Sequence, residues 1–290
     1  MARQRAAQLI SLMVLVGFCT FFLLPVIWLL LAPTKTNFAL QERSPYAFGS
    51  FHNIAVAWHH LIDFNDGAIL IWLRNSAIYS GVAVAITIIV SVPAGYAMAV
   101  TEFKGRRILL ITTLVVMILP SASLVLPLFL EMNAVNLIGT SASVILPLSL
   151  FPFGVYLIYI YYSTAIPSEL LEAARVDGCG EWRIFTLIAV PLAKPIIWLV
   201  AFFAFVANWN NYFLPFVMLA DSSQYPLPVG LNLLLSSTPS FNPIQGGNQL
   251  HILNPELALA TMFAAAPVAI VLLIIQRALV RGLMAGATVG

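Results

Sequence analysis

The chain has 290 residues, of which 61% are hydrophobic and only 8% are charged. Soluble domains are about 45–50% apolar and about 25% charged, so this composition excludes an ordinary soluble fold and indicates that lipid surrounds most of the chain. The formal net charge of +2 is too small for a protein that binds nucleic acid through its phosphates.

Six segments are apolar over the length of about 20 residues that a helix needs to cross the hydrocarbon layer. Their approximate bounds are 8–32, 74–100, 107–130, 141–163, 193–217 and 257–280. The first is longer than a signal-peptide core and lacks a small-residue cleavage site, so we expect it to be retained as a span. The sequence predicts an all-α membrane protein with a single transmembrane domain over residues 1–290.

Prolines and glycines interrupt several of these segments. Helix ends or kinks in the third and fourth spans are expected at Pro127, Gly139 or Pro147. Pro93 and Pro120 are likewise expected to kink their helices.

An even number of spans places both termini on one side of the membrane, and the basic residues predict that this side is the cytoplasm. Three basic residues then lie outside: Lys35, Arg43 and Arg74. Ten lie inside: Arg3, Arg5, Lys104, Arg106, Arg107, Arg175, Arg183, Lys194, Arg277 and Arg281. The two long external segments, about 33–73 and 218–256, are predicted to form caps or short surface helices.

The cytoplasmic segment 164–192, between the fourth and fifth spans, has the pattern of a helix, a turn and a second helix. The first helix is expected to begin near Pro167 and to end at Gly178. Its apolar stripe consists of Leu170, Leu171 and Ala174. The second is predicted from about Gly180 to Ala189, with Pro191 stopping it. Such a pair suits docking into a groove of a partner protein.

This segment resembles the EAA signature of importer-type ABC permeases. The matching residues are Glu172-Ala173-Ala174, Asp177-Gly178, Phe185, Ile188, Val190-Pro191-Leu192 and Pro195. The resemblance implies a type I importer permease fold in which this segment is a coupling helix that contacts an ATPase. The residues assigned to ATPase coupling are Leu170, Leu171, Glu172, Ala173, Ala174, Asp177, Gly178, Trp182, Phe185 and Pro191.

Two positions depart from that signature: Cys179 stands where the family more often has Ala, and Val190 stands where it more often has Leu. The competing interpretation is an ordinary amphipathic loop, with Glu172 paired to Arg175 at a spacing of three.

Residues 207–216 resemble an element of the second permease in maltose-type carbohydrate importers. Asparagines are costly in a membrane helix unless they line a cavity or bond a neighbouring helix. Together with aromatic faces they suit a sugar, so a solute path is predicted at Asn208, Trp209, Asn210, Asn211 and Tyr212. The alternative is packing against a second permease.

The C-terminal segment, 276–290, also resembles the ending of that permease, although Val289 stands where Lys is common. The resemblance implies that Arg281, Gly282 and Gly286 reach the ATPase. The alternative is a basic segment that only follows the last span.

The resemblance as a whole implies the permease subunit of an ATP-driven importer of a sugar, with glycerol phosphate or another polyol as the alternative cargo. Implied partners are a second homologous permease, an ATPase homodimer that uses ATP and Mg, and an extracytoplasmic solute-binding protein. The sequence GxxxxGK[ST] does not occur here, so ATP hydrolysis is assigned to a separate chain. No catalytic residue, bound cofactor or metal site is expected.

Two rival classes are disfavoured. A membrane-embedded enzyme would carry a motif such as GxSxG or HExxH, or paired carboxylates within the membrane, and the sequence has none of these. An ion-coupled transporter would be expected to place an ionisable residue at the depth of the bilayer centre, and the predicted spans do not.

Overall fold

The computed structural model describes residues 2–241 and 252–287, with side chains described over 8–241 and 252–276. All regular secondary structure in these residues is helical. The chain divides into two compact units, the first made of Met1–Leu70 with Gly230–Ala265 and the second of Ile71–Val229 with Ala266–Gly290. A single domain over the whole chain stays a prediction.

The described residues form fifteen α-helices. In chain order they are α1 (Ala2–Leu31), α2 (Asn37–Glu42), α3 (Phe51–Asp63), α4 (Ala68–Val100), α5 (Arg106–Ile118), α6 (Ser121–Ala134), α7 (Ser141–Ser149), α8 (Pro152–Thr164), α9 (Ser168–Val176), α10 (Glu181–Ile184), α11 (Val190–Leu192), α12 (Lys194–Trp209), α13 (Phe213–Met218), α14 (Leu227–Ser237) and α15 (Asn254–Ala287). The segments 33–73 and 218–256, which are predicted to be external, contain the short helices α2, α3 and α14 among their described residues.

Four helical stretches in the described part of the chain are long and apolar enough to cross a membrane: Gln8–Thr34, Ala68–Val100, Ser141–Thr164 and Asn254–Gln276. Two further stretches meet the criterion only as bent pairs. Arg106–Ile118 and Ser121–Ala134 are bent by 110°, and Glu181–Leu192 and Lys194–Trp209 by 74°. The chain therefore has four to six candidate spans.

Three of the predicted spans are interrupted. The fourth breaks between α7, which ends at Ser149, and α8, which begins at Pro152. The third breaks between α5 and α6, where Leu119 is extended with ψ 130° and Pro120 follows it with ψ 126°. The ring of a proline excludes the helical conformation from the residue before it, so the helix ends there. Pro127, by contrast, lies inside α6. The fifth breaks at 210–212, because α12 ends at Trp209 and α13 begins at Phe213.

Helices of the second unit approach closely where glycines replace side chains. A Cβ on Gly95 of α4 would lie 2.5 Å from Cγ2 of Ile158 in α8, and one on Gly154 would lie 2.7 Å from Cγ1 of Val200 in α12. Both Ile158 and Val200 are completely buried. Small residues allow membrane helices this degree of approach, which supplies the packing that the hydrophobic effect cannot supply within lipid.

Side chains near the start of α4 form hydrogen bonds to backbone groups of residues 222–227. Trp72 Nε1 donates to the carbonyl of Ser222 at 2.9 Å, and Asn75 Nδ2 donates to the carbonyls of Ser223 and Tyr225 at 2.8 and 3.1 Å. The hydroxyl of Ser76 accepts from Leu227 N at 2.7 Å, and that of Tyr79 donates to Gln224 O at 3.0 Å. These four α4 side chains recur at helical spacing, so one face of the helix fixes residues 222–227.

In the first unit, a carboxylate links α15 to α3. His60 Nδ1 lies 2.7 Å from Glu256 Oε1, and Glu256 Oε2 accepts from Leu253 N at 3.2 Å. Glu256 is 4% exposed, and its place in the first turn of α15 suits a negative charge. The pair is 196 residues apart in sequence, so no local pattern could predict it.

The close contact at Gly95 gives a stability prediction. Gly95→Ala places a methyl group against Ile158, which is 0% exposed and has no room to yield, so we expect destabilisation of about 1–3 kcal/mol. Thermal unfolding of the purified protein in detergent measures the effect.

Gly81→Ala in the same helix is the matched control, since nothing lies within 4 Å of the Cβ it would add. This variant is expected to be neutral or more stable by about 0.5–1 kcal/mol. Equal melting temperatures for the two variants would contradict the close packing of α4 on α8.

Candidate functional site

The α9–α10 pair is joined by a tight turn at Gly178, which has φ +80°. Cys179 N donates to Ala174 O at 2.9 Å, and Gly178 N donates to Arg175 O at 3.0 Å. This pair of bonds is the Schellman arrangement, which ends a helix with a left-handed residue, usually glycine. The predicted helix end at Gly178 is confirmed, and the geometry explains why glycine stands there.

A salt bridge closes the same turn. Arg175 Nε and one terminal nitrogen donate to the two carboxylate oxygens of Glu181 at 2.6 and 3.3 Å. These hydrogen bonds to a negatively charged group raise the pKa of Arg175. The pairing of Glu172 with Arg175 considered from the sequence is therefore wrong. Arg175 reaches across the turn to α10, which leaves the exposed Glu172 carboxylate available to a partner.

The apolar residues of the pair divide into two sets. Leu171, Ala174 and Ile184 are 3%, 7% and 0% exposed and belong to a core with Tyr96 of α4 and Tyr162 of α8. The rings of Tyr96 and Tyr162 are 5.2 Å apart. Leu171 and Ala174, which were predicted to contact an ATPase, thus join the helix pair to the rest of its own unit, and their role in coupling stays a prediction.

The other set is exposed: Leu170, Val176, Trp182 and Leu187, at 46%, 87%, 74% and 71%. We call these four residues the exposed apolar set. Large apolar side chains surrounded by charges mark interaction surfaces. Val176 and Leu187 were not predicted as site residues, since helical spacing alone does not show that they stay uncovered.

Pro191 does not stop the second helix. A π-helical turn over Phe185–Ala189 precedes it, with Val190 N bonded to Phe185 O, and the chain stays helical to Leu192. Because Pro191 lies in the first turn of the segment after this irregularity, its missing N–H is tolerated there. Phe185 meanwhile packs on Tyr96, with ring centroids 5.0 Å apart.

The second candidate feature is a cavity of about 1030 Å³ in the second unit. Three helix breaks border it: Leu119 between α5 and α6, Leu150 and Phe151 between α7 and α8, and the break at 210–212 between α12 and α13. Broken helices leave backbone groups without intrahelical partners, which within a membrane are tolerated where they are buried in protein or face a cavity. Thr87 satisfies one of them, donating to Ser149 O at 2.9 Å.

Four of the five predicted solute-path residues line this cavity: Asn208, Asn210, Asn211 and Tyr212. The fifth, Trp209, does not line it. Trp209 is 3% exposed and its ring lies 5.4 Å from that of Phe205. The helical rotation between successive residues turns it away from Asn208.

The three asparagines differ in their hydrogen bonding. Asn210 Nδ2 donates to Val206 O at 2.9 Å, and Asn211 Oδ1 accepts from Leu214 N at 3.2 Å, capping α13. Asn208 is 8% exposed, and its Nδ2 has no partner among the described residues. A buried amide without a partner is costly, and this one belongs to a residue that borders the cavity.

The remaining cavity wall is apolar and aromatic, with Phe151, Phe153 and Phe213 among its residues and Ser121 adding a hydroxyl. Within the part of the chain that the structure describes, no Asp, Glu, Lys, Arg or His lines the cavity. The wall thus combines aromatic faces with a few amide and hydroxyl groups, a composition that suits an uncharged polar ligand.

Residues 91–285 match the family described as binding-protein-dependent transport system inner membrane component. The chain belongs to this family. It is therefore a multi-pass membrane component of a binding-protein-dependent transport system, and the match covers both the helix pair and the cavity.

Two relatives illustrate the family. The chain is 33% identical over 219 residues to the arabinooligosaccharides transport system permease protein AraQ of Halalkalibacterium halodurans, covering 76% of this chain and 74% of that protein. It is 28% identical over 276 residues to the lactose transport system permease protein LacG of Rhizobium radiobacter, covering 94% of this chain and 93% of that one.

The fold of this transport-system component is also that of a subunit of a bacterial ABC transporter involved in the import of the acidic polysaccharide alginate, whose crystal structure is known. The two superpose with a TM-score of 0.79 at 21% identity, over 94% of this chain and 96% of the other. At that identity the likeness shows the fold alone.

The predicted tail contact of this family member involves Arg281, Gly282 and Gly286. All three lie in α15, which is helical to Ala287, whereas the described side chains end at residue 276. The tail contact thus lies outside the described side chains and stays a prediction.

The turn at Gly178 gives a prediction for the helix pair. Alanine at a φ of +80° is disfavoured by about 1–2 kcal/mol, so the turn in Gly178→Ala should open more often. The amide hydrogen of Cys179, which is bonded across the turn to Ala174 O, should then exchange about five- to thirtyfold faster. Hydrogen exchange of residues 168–192 in the purified protein measures this.

Gly180→Ala provides the matched control, because Gly180 has φ −70° and, like Gly178, has nothing within 4 Å of an added Cβ. The two positions differ in backbone conformation but not in the space available to an added methyl group. Unchanged exchange in Gly178→Ala would show that the left-handed turn does not hold the pair together.

Proposed function

We propose that this chain is the permease subunit of an ATP-driven importer that carries a neutral saccharide across the cytoplasmic membrane. The proposal includes the six spans predicted from the sequence, the fifth of which begins after the segment 164–192, and both termini in the cytoplasm. The basic residues support this orientation, ten inside against three outside. The chain itself is proposed to hold no cofactor and to catalyse no reaction.

The observation that carries the proposal is the uncharged cavity that contains Asn208. Its volume of about 1030 Å³ is at the upper end of the range of small-molecule sites, about 300–1,000 Å³, which accommodates a saccharide and is far larger than an ion requires. Asn208 Nδ2 supplies an unused donor, and the rings of Phe151, Phe153 and Tyr212 supply the apolar surface that a sugar face prefers.

The character of the wall also separates possible cargoes. A glycerol phosphate or another phosphate-bearing solute would be matched by Arg or Lys, and the described lining contains neither. A neutral polyol would be recognised by the same groups as a sugar, so transport measurements decide between them. The two relatives belong to transport systems for arabinooligosaccharides and for lactose, which favours a saccharide.

The α9–α10 pair is proposed to be the coupling element. An ATPase homodimer that uses ATP and Mg would receive the exposed apolar set in a groove, with Glu172 and Asp177 as polar contacts. Since Leu171, Ala174 and Ile184 are packed into a core with α4 and α8, a displacement of the pair would move those helices with it.

The remaining partners follow from this assignment. A second, homologous permease would complete the pathway, and an extracytoplasmic binding protein would deliver the solute. Arg281, Gly282 and Gly286 are proposed to extend toward the ATPase as an additional contact. Alternation of the paired permeases between inward-open and outward-open states would move the solute through the cavity.

Transport by the reconstituted complex tests the cargo and the cavity together. With its ATPase, second permease and binding protein in vesicles, uptake should be supported by one or more neutral saccharides in a panel that also contains polyols, glycerol phosphates and acidic sugars. Asn208→Leu should lower that uptake about tenfold, because a sugar hydroxyl loses its hydrogen-bond partner, while thermal stability stays close to that of the parent.

Asn211→Leu is the comparison variant, and it should mainly lower stability, by about 1 kcal/mol, since Asn211 Oδ1 caps α13. Uptake of charged solutes alone would overturn the neutral-saccharide proposal. Loss of stability without a specific loss of uptake in Asn208→Leu would assign Asn208 to helix packing instead.

Coupling gives a second prediction. Trp182→Ala removes a side chain that is 74% exposed, so we expect weaker retention of the ATPase during purification and at least about tenfold less ATP hydrolysis by the complex. Folding of the permease should be unaffected, since an exposed side chain contributes little to stability.

Trp182→Phe preserves an aromatic ring at the same position and should recover most of the activity. An ATPase that stays bound and fully active in Trp182→Ala would rule out this residue as a docking contact.

A further inference from the structure

The segment that joins α2 to α3 exposes three aromatic side chains. Tyr46, Phe48 and Phe51 are 47%, 52% and 76% exposed, and the rings of Phe48 and Phe51 are 5.0 Å apart. We call residues 44–51 the aromatic loop. Rings grouped in this way on a surface indicate a binding face.

The aromatic loop is hydrogen-bonded to Thr34, in the turn that follows α1. Ser50 N and Asn53 Nδ2 both donate to Thr34 O, at 2.6 and 2.7 Å, and Gly49 N donates to Thr34 Oγ1 at 3.0 Å. A Cβ on Gly49 would lie 2.0 Å from Thr34 O, so only glycine permits this approach. The loop is consequently held in place before it meets any partner, which lowers the entropic cost of binding.

Lys35 holds the other end of the loop. Its Nζ donates to Ser44 O at 2.9 Å and to Pro45 O at 2.7 Å, and the residue is 2% exposed. Burial lowers the pKa of Lys35. A buried ammonium group is costly, yet here it donates to two carbonyls and fixes the base of an otherwise exposed loop.

The position of Thr34 places the aromatic loop at the membrane surface. The candidate span Gln8–Thr34 has 27 residues, which at 1.5 Å per residue is about 40 Å. The hydrocarbon layer is about 30 Å thick, so a span of this length ends among the lipid headgroups. Residues bonded directly to Thr34 share that depth whichever side of the membrane α1 ends on.

We propose that the aromatic loop is a lipid anchor, in which Tyr46, Phe48 and Phe51 insert between headgroups and the upper acyl chains. Aromatic side chains accumulate at this depth in membrane proteins. The adjacent Arg43 is exposed and is positioned to pair with lipid phosphate.

An anchor here has a specific consequence for α1. None of the most apolar window of this span is buried by the described residues, so packing against them restrains its tilt little. Interfacial aromatic and basic residues fix the tilt and depth of a helix. The aromatic loop, bonded rigidly to the end of α1, would supply that restraint.

Quenching by brominated lipid tests the anchor in the assembled transporter. Cys19 and Cys179 are replaced by Ala, Phe48→Cys is labelled with an environment-sensitive fluorophore, and the complex is placed in phosphatidylcholine vesicles with bromine near the headgroup end of the acyl chains. We expect emission at least about twofold lower than in unbrominated vesicles. A second reporter at Phe51→Cys should behave in the same way.

Glu169→Cys is the control, because Glu169 is an exposed residue of α9 and should show no lipid quenching. Emission at position 48 that brominated lipid leaves unchanged, but that aqueous iodide quenches, would overturn the proposal. A response that appears only when the binding protein is added would also overturn it, and would assign the aromatic loop to protein docking.

Discussion

The rest of this structure depends on one constraint: a backbone N–H or C=O inside a membrane must find a partner that is not bulk water. Continuous helices meet it along most of the chain. Where helices break, at Leu119, at Leu150 and Phe151, and at 210–212, the freed groups gather around one cavity. Unpaired backbone groups of this kind would be costly on a lipid-facing surface, whereas around a cavity they suit a polar solute.

The helix pair α9–α10, which we propose as the coupling element, meets a different requirement, since such an element has to be exposed to its partner and firmly joined to its own chain. Its residues separate these tasks. Leu171, Ala174 and Ile184 are buried against α4 and α8, while Trp182 and Val176 remain exposed. The bond between Arg175 and Glu181 keeps the two short helices together across the turn, although neither is long enough to be stable alone.

Much of this was accessible from sequence, for identifiable reasons. Apolar length predicted the helical membrane fold, and glycine chemistry predicted the turn at Gly178, because both are local properties. The cost of asparagine in lipid led to three residues that line the cavity, Asn208, Asn210 and Asn211, and the preference of a sugar for aromatic faces led to Tyr212. Local patterns could not separate buried from exposed apolar residues in α9, so Leu171 was assigned to the partner surface. They also missed the bond of Arg175 to Glu181 and the helical path through Pro191, which depend on neighbours and on a π-helical turn.

The attachment of residues 222–227 to α4 differs in kind from the other contacts. Trp72, Asn75 and Tyr79 bond to carbonyl oxygens of that segment, and Ser76 accepts from one of its amides. Main-chain groups are present whatever side chain each residue carries. The helix therefore fixes the position of residues 222–227 whatever side chains stand at the exposed positions 222 and 223, whereas Leu227 is itself completely buried.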